Sequence, residues 1–181
     1  GCESSVACNL AYVHAEELSY GQEIAGGPSP KTKCVMIVGK NGSWASPHGF
    51  FRNLLAQKAR GIKLIVSDIR RTKVAEQADI HLQPKPGTDG ALAWGMIRVL
   101  VKEGLVNQPF IDQWCTGYEE LVQYAEKFTP DYVEKETGVK AEDVIAAARM
   151  FADGPSAMML PGQSIPHQHN GCNNVRAYSL L

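Results

Sequence analysis

Asp68, Arg70 and Asp89 stand just past short apolar runs in "KLIVSDIRRTKVAEQADIHLQPKPGTDGAL", residues 63–92. Polar groups at the ends of buried strands need partners, and a ligand is a common one. A carboxylate at the end of a second strand, such as Asp68, suits ribose hydroxyls. The guanidinium groups of Arg70 and Arg71 suit a phosphate or a purine edge. Asp89, after "PGT", can cap the helix that begins there or accept from the N1 and N2 donors of a guanine. Spacing alone leaves both open.

Two further loops carry chemistry. "GKNGS" follows the apolar run "CVMIV"; its Gly39 and Gly42 permit close backbone approach, and the Asn41 amide can read a polar ligand edge. It is neither GxGxxG nor the phosphate loop GxxxxGKS/T, so neither common nucleotide fingerprint applies. "QSIPHQHNGC" places His167, Gln168 and His169 beside Gly171, and histidine titrates near neutrality. No nucleophile–histidine–acid set is recognisable by spacing.

The elements that position these residues alternate. "KCVMIVG", "KLIVSD", "ADIHLQ" and "SAMMLPG" read as strands. "SPHGFFRNLLAQKARG" reads as a helix, with Ser46 at its N-cap, Pro47 first and Gly61 closing it. "TDGALAWGMIRVLVKEG" is a helix with Leu92, Met96 and Leu100 on one face. Further helices fall in "PFIDQWC", "YEELVQYAEKF", "PDYVEKETG" and "KAEDVIAAARMFADG", and a last one begins in "NNVRAYSLL". This alternation predicts an α/β fold: a doubly wound, mostly parallel, Rossmann-like sheet with helices on both faces. "CVMIVG" and "KLIVSD" should be adjacent and central, and ligands should sit beyond the carboxyl ends of the strands. Gly39, Asp68 and Gly162 then share one edge.

Bulk properties narrow the class. The chain has 181 residues, 44% hydrophobic and 20% charged, with 18 basic and 19 acidic side chains. That is the composition of a globular domain with no broad basic footprint for nucleic acid, and no run is long enough to cross a membrane. The five cysteines include no CxxC pair, which argues against a disulfide framework or a zinc ribbon. Cys34 and Cys115 read as small buried hydrophobes. There is no initiator methionine and the last helical pattern stops partway, so residues 1–181 are expected to be a single α/β domain from a larger chain, led by a helix and loop over residues 1–30.

"IVGKN", the long 63–92 run, "FIDQWCTGYEEL" and "HQHNGCNNVRA", in that order, make the chain similar to the central domain of the molybdopterin oxidoreductase superfamily, of the dimethyl sulfoxide reductase type. The specific part is Asp-x-Arg followed by "AD" and "PGTDGAL". The family usually has Pro between the Asp and the Arg; Ile69 stands there, which loosens the turn but keeps both polar groups. "GKN", "RRTKVAE" and "WCTGYEEL" look most like the acetylene hydratase branch.

The resemblance implies a piece of a catalytic subunit using bis(molybdopterin guanine dinucleotide) with molybdenum or tungsten, and a [4Fe-4S] cluster in an N-terminal part outside this chain. It implies an oxidoreductase, or a hydratase-like enzyme, acting on a small molecule in bacterial or archaeal anaerobic metabolism, in the cytoplasm or the periplasm. Expected partners are the remainder of that subunit and an iron–sulfur electron-transfer subunit; the piece alone should not turn over. Gly39 and Asn41 would lie along the dinucleotide, Asp68 and Arg70 at the ribose and guanine, and Gly87 and Asp89 at the guanine edge. His167, Gln168, His169 and Gly171 would lie near pterin or substrate, with the two histidines as catalytic candidates. Cys8 would be the metal ligand, since a thiolate suits a soft, high-valent metal. The competing expectation is a non-catalytic nucleotide-binding α/β module, which would account for Gly39, Asp68 and Asp89 without a metal.

Overall fold

A strand buried on both faces must be apolar on both, and the central strands here are. The computed structural model describes Ser19, residues 30–154 and residues 156–181. Four strands, β1 (Cys34–Val38), β2 (Lys63–Ser67), β3 (Ile80–Leu82) and β4 (Ala157–Pro161), form one sheet in the order β3-β2-β1-β4. Every pairing is parallel, with Val38 opposite both Ser67 and Pro161. β1 and β2 are therefore adjacent and central, as expected from their composition, and all four strands end on one edge.

Period-2 alternation sorts the strand side chains into two cores. Met36, Val38 and Ile65 pack on one face with Leu92 and Met96 of helix Asp89–Lys102, Val133 of helix Pro130–Thr137 and Ala147 of helix Ala141–Ala152; Val175 and Tyr178 of helix Gly171–Ser179 join them. Val35, Ile37, Leu64 and Val66 pack on the other face with Leu54 of helix Arg52–Ala59 and with Val74. Each fully buried aliphatic side chain contributes about 1.5–3 kcal/mol, so these two layers fix the sheet.

The helix expected from Ser46 forms with one difference. Ser46 Oγ accepts from Phe50 N at 3.2 Å, as a cap should, but its first turn, Pro47–Phe51, is a π-helix, with Phe51 N donating to Ser46 O at 3.1 Å. Pro47 supplies no backbone donor to that turn. The Phe50 ring lies so close over Gly42 that a Cβ there would sit 1.9 Å from it. The helix starting at Asp89 also differs: Thr88 is its N-cap residue, but its hydroxyl donates to Lys85 O at 2.7 Å instead of capping the helix. Cys34 is buried as expected, whereas Cys115 is exposed at the end of helix Gln108–Trp114, because that short helix carries no buried residue.

Beyond β1 and β4 the backbones converge. A Cβ on Gly162 would lie 2.2 Å from the Gly39 carbonyl oxygen. Gly162→Ala is expected to lower stability by roughly 1–3 kcal/mol, as overpacking does, and so to lower Tm by several degrees. Thermal unfolding checks this; an unchanged Tm would show that the two strand exits can separate without cost.

Candidate functional site

Because the strands are parallel, residues that follow them meet at one edge. Gly39 N donates to Ser67 O at 2.8 Å and Gly162 N to Val38 O at 2.7 Å, which ties the exits of β1, β2 and β4 together. A cleft of about 520 Å³ opens there, lined by Gly39, Ser67, Asp68, Ile69, Arg70, Pro86, Asp89, Ser164 and Gln168.

Two buried carboxylates dominate the cleft. Asp68 is 7% exposed, and its Oδ1 accepts from Arg70 N at 2.9 Å. That is an Asx turn, and it holds the Asp-x-Arg geometry without the proline usual at position 69. Arg70 Nε is 3.9 Å from the same Oδ1, with its side chain 69% exposed. A contact that long at the surface is weak, so the guanidinium can reach outward. From the other side, His81 Nε2 donates to the Asp68 carbonyl at 3.1 Å.

Asp89 is 6% exposed at the start of its helix. Gln168 Nε2 donates to its Oδ2 at 3.0 Å and to Ser164 O at 3.1 Å. Burial pushes the Asp89 carboxyl upward, the Gln168 amide and the residue's own backbone N–H oppose this, and the charge of Asp68 adds to the rise; the net shift is upward. Beneath it, the hydroxyls of Ser67 and Tyr178 are buried without a well-formed hydrogen bond, as is Gln168 Oε1. Burial foremost, and then the Asp89 charge, raises the Tyr178 phenol, while the nearby Ser67 hydroxyl pulls the other way. Such a concentration of unmet polar atoms is unusual in a folded interior.

The structure brings Gly39, Asp68, Arg70, Asp89 and Gln168 around one cleft. Gly87, at φ 87°, follows the lining residue Pro86 without being part of the lining itself, and its carbonyl accepts from Asn170 Nδ2 at 3.4 Å. Four expected residues take other places. Asn41 Oδ1 accepts from Ser43 Oγ at 2.7 Å, a local turn bond outside the cleft lining. His167 and His169 are exposed on either side of Gln168 and also lie outside the lining. In this turn Gln168 points inward and its neighbours outward. Gly171 meets the chain and not the cleft, since a Cβ there would lie 2.1 Å from Pro166 O. Cys8, the expected metal ligand, lies outside the described residues. Among the described residues no group of three or more His, Cys, Asp or Glu could hold a metal ion, and no helix is long and apolar enough to cross a membrane.

Ser67, Ser164, Ile69, Pro86, Tyr178 and His81 were not foreseen. Ser67 carried a signal, a lone hydroxyl closing an otherwise apolar buried run; Ser164 and Tyr178 carried none, because only tertiary contact brings them here.

In parallel α/β sheets, ligands commonly sit in a crevice beyond the carboxyl ends of the strands, which is where this polar cleft lies. The profile of the molybdopterin oxidoreductase family matches residues 10–181, and the chain belongs to that family. It is 42% identical over 153 residues to acetylene hydratase of Syntrophotalea acetylenica, covering 83% of this chain and 20% of the relative. It is 39% identical over 144 residues to the F420-dependent formate dehydrogenase 1 subunit alpha of Methanococcus maripaludis, covering 80% and 21%. The solved structure of acetylene hydratase from Pelobacter acetylenicus superimposes with a TM-score of 0.89 at 35% identity, over 97% of this chain and 24% of that one. The chain thus spans about a fifth to a quarter of the proteins it matches.

The raised Asp89 pKa has a stability consequence. Its folded value exceeds its unfolded value, so above both the folded state carries a cost, which disappears as the pH falls to where the folded side chain is protonated. Asp89→Asn is therefore expected to be more stable than the unsubstituted protein at neutral pH, with the difference fading toward about pH 4, the ordinary carboxylate range. Urea unfolding at both pH values checks this; an Asn variant less stable at neutral pH would contradict it.

Proposed function

We propose that this chain is the domain of a molybdenum- or tungsten-dependent catalytic subunit that holds one guanosine end of a bis(molybdopterin guanine dinucleotide). The observation that carries the reading is Asp89, a carboxylate nearly closed off from solvent yet facing a cleft at the strand exits. A buried carboxylate needs donors, and the guanine edge offers N1–H and N2–H together. Asp68 and Arg70 lie beside it, placed for ribose and phosphate, and Gly39 lets the backbone approach the dinucleotide. Gly87 keeps the turn before Asp89 in its left-handed conformation.

Further roles rest on family resemblance. Cys8 is proposed as the metal ligand, Asn41 and Gly171 as backbone or amide neighbours of the cofactor, and His167 and His169 as groups that reach substrate or pterin once the rest of the subunit covers this edge. When bound, the metal centre supplies the redox or Lewis-acid chemistry on a small substrate. This chain's residues bind the nucleotide, orient it and exclude water from the Asp89 pair. A [4Fe-4S] cluster and an iron–sulfur partner subunit would belong to the complete enzyme. The similarity to acetylene hydratase and to formate dehydrogenases supports the class and leaves the reaction to the missing domains.

The test uses the full-length protein, purified without oxygen. Acid release is expected to yield GMP in about twofold molar excess over molybdenum or tungsten. Asp89→Asn should retain much less cofactor, since losing a hydrogen bond to a charged group costs roughly 1.5–3 kcal/mol. X-ray absorption should show one sulfur fewer at the metal in Cys8→Ala. Absence of GMP, or unchanged retention in Asp89→Asn, would overturn the guanine assignment; equal sulfur coordination would overturn that of Cys8.

A further inference from the structure

Gln168 is the residue whose polar atoms are most unevenly used. Its Nε2 makes two hydrogen bonds, to Asp89 Oδ2 at 3.0 Å and Ser164 O at 3.1 Å. Its Oε1 is buried and has no partner. The two donor bonds fix which way the amide faces, because a flipped amide would set a carbonyl against two acceptors. Oε1 is thereby held near the Asp89 carboxylate as a second, unused acceptor, closed off from solvent. What covers it is light: Gly87 lies against it without a side chain, a Cβ there would be 3.5 Å from Oε1, and side-chain adjustments of the kind that accompany binding would uncover it.

We infer that Gln168 is a specificity residue that accepts the second N2 proton of guanine. The inference rests on the guanine reading of Asp89 and extends it. Guanine presents three protons along one edge, one on N1 and two on N2. A carboxylate takes N1–H and one N2–H, and the remaining N2–H needs another acceptor. Asp89 and Gln168 Oε1 together form a continuous acceptor edge of that kind. Hypoxanthine has N1–H but no N2 amine, so it leaves both Oε1 and one Asp89 carboxylate oxygen without a donor from the base. Adenine offers an unprotonated N1 to the carboxylate and is refused by Asp89 itself. Gln168 thus adds to the preference of Asp89 for guanine over hypoxanthine, and Asp89 separates both from adenine. The same amide also favours the ionised form of Asp89, which serves both 6-oxopurines equally.

The experiment is calorimetric binding of GDP, IDP and ADP to the full-length protein expressed without cofactor synthesis. The expected order is GDP tighter than IDP by about thirtyfold, the scale of two buried hydrogen bonds, with ADP weakest. In Gln168→Leu the GDP-to-IDP ratio should fall about fivefold, to the share that Asp89 alone supplies, while both still outbind ADP. Because the loss of the Gln168 donor acts on GDP and IDP alike, the ratio isolates Oε1. Circular dichroism and ADP binding of Gln168→Leu itself control for misfolding. If GDP outbinds ADP but equals IDP, or if Gln168→Leu leaves the ratio unchanged, the role of Gln168 is overturned and the contact of Asp89 to N1–H survives. If GDP and ADP bind alike, or neither binds, the guanine reading itself fails and this inference falls with it.

Discussion

The edge of this sheet is shaped by the approach of two glycines. Gly162 lies so near Gly39 that any side chain on it would overlap the Gly39 carbonyl oxygen, and a Cβ on Gly39 would fall 2.0 Å from Ser164 Oγ. Gly39 also takes φ 59°, which costs a side-chain-bearing residue energy. Ser164 Oγ donates to the Gly39 carbonyl at 2.9 Å and closes the contact. With the exits of β1 and β4 locked, the loop after β4 is carried back across the edge, and Gln168 arrives at Asp89. The cleft follows from that contact: its near wall is the Gly39 turn, its floor Ser67 and Asp89, and its far wall the Asx turn of Asp68 and Arg70.

The floor is under energetic tension. A buried carboxylate with an upward-shifted pKa and hydroxyls without well-formed partners each cost stability. They persist because the two apolar layers on the sheet faces far outweigh them. Polar groups held in this way are ready to meet a ligand's donors without first being stripped of water, and such strain is characteristic of functional sites. The stability cost of Asp89 and its proposed role are thus one property: a group comfortable alone in the fold would gain less from a nucleotide.

Much of the architecture was legible because strand burial is written in composition. "CVMIV" and "KLIVS" are apolar at nearly every position, which requires cover on both faces and hence central parallel strands. Asp68 and Asp89 were legible because a carboxylate directly after such a strand, or at the start of a helix so apolar on one face, ends up at the rim of the core. What was not legible depended on how a loop folds. The alternation that turns Gln168 inward and His167 and His169 outward comes from the close packing of Gly171 on Pro166. Asn41 was expected to face a ligand, but a serine two residues on captures its oxygen, a local competition frequent for this residue type. Tyr178 looks like any aromatic of an amphipathic helix until that helix packs against the sheet and sets its hydroxyl beneath Asp89. The exposure of Cys115 depended on how little of helix Gln108–Trp114 the core covers.

The central claim is that three strand exits and the loop after β4 act as one cofactor-binding surface. Hydrogen–deuterium exchange on the full-length protein, with and without its native cofactor, tests it most directly. The account predicts that backbone protection on cofactor binding rises together in the segments around Gly39, Asp68, Asp89 and Gln168, with little change in helix Gln108–Trp114. Protection confined to other parts of the protein, with these four segments exchanging alike in both forms, would contradict it.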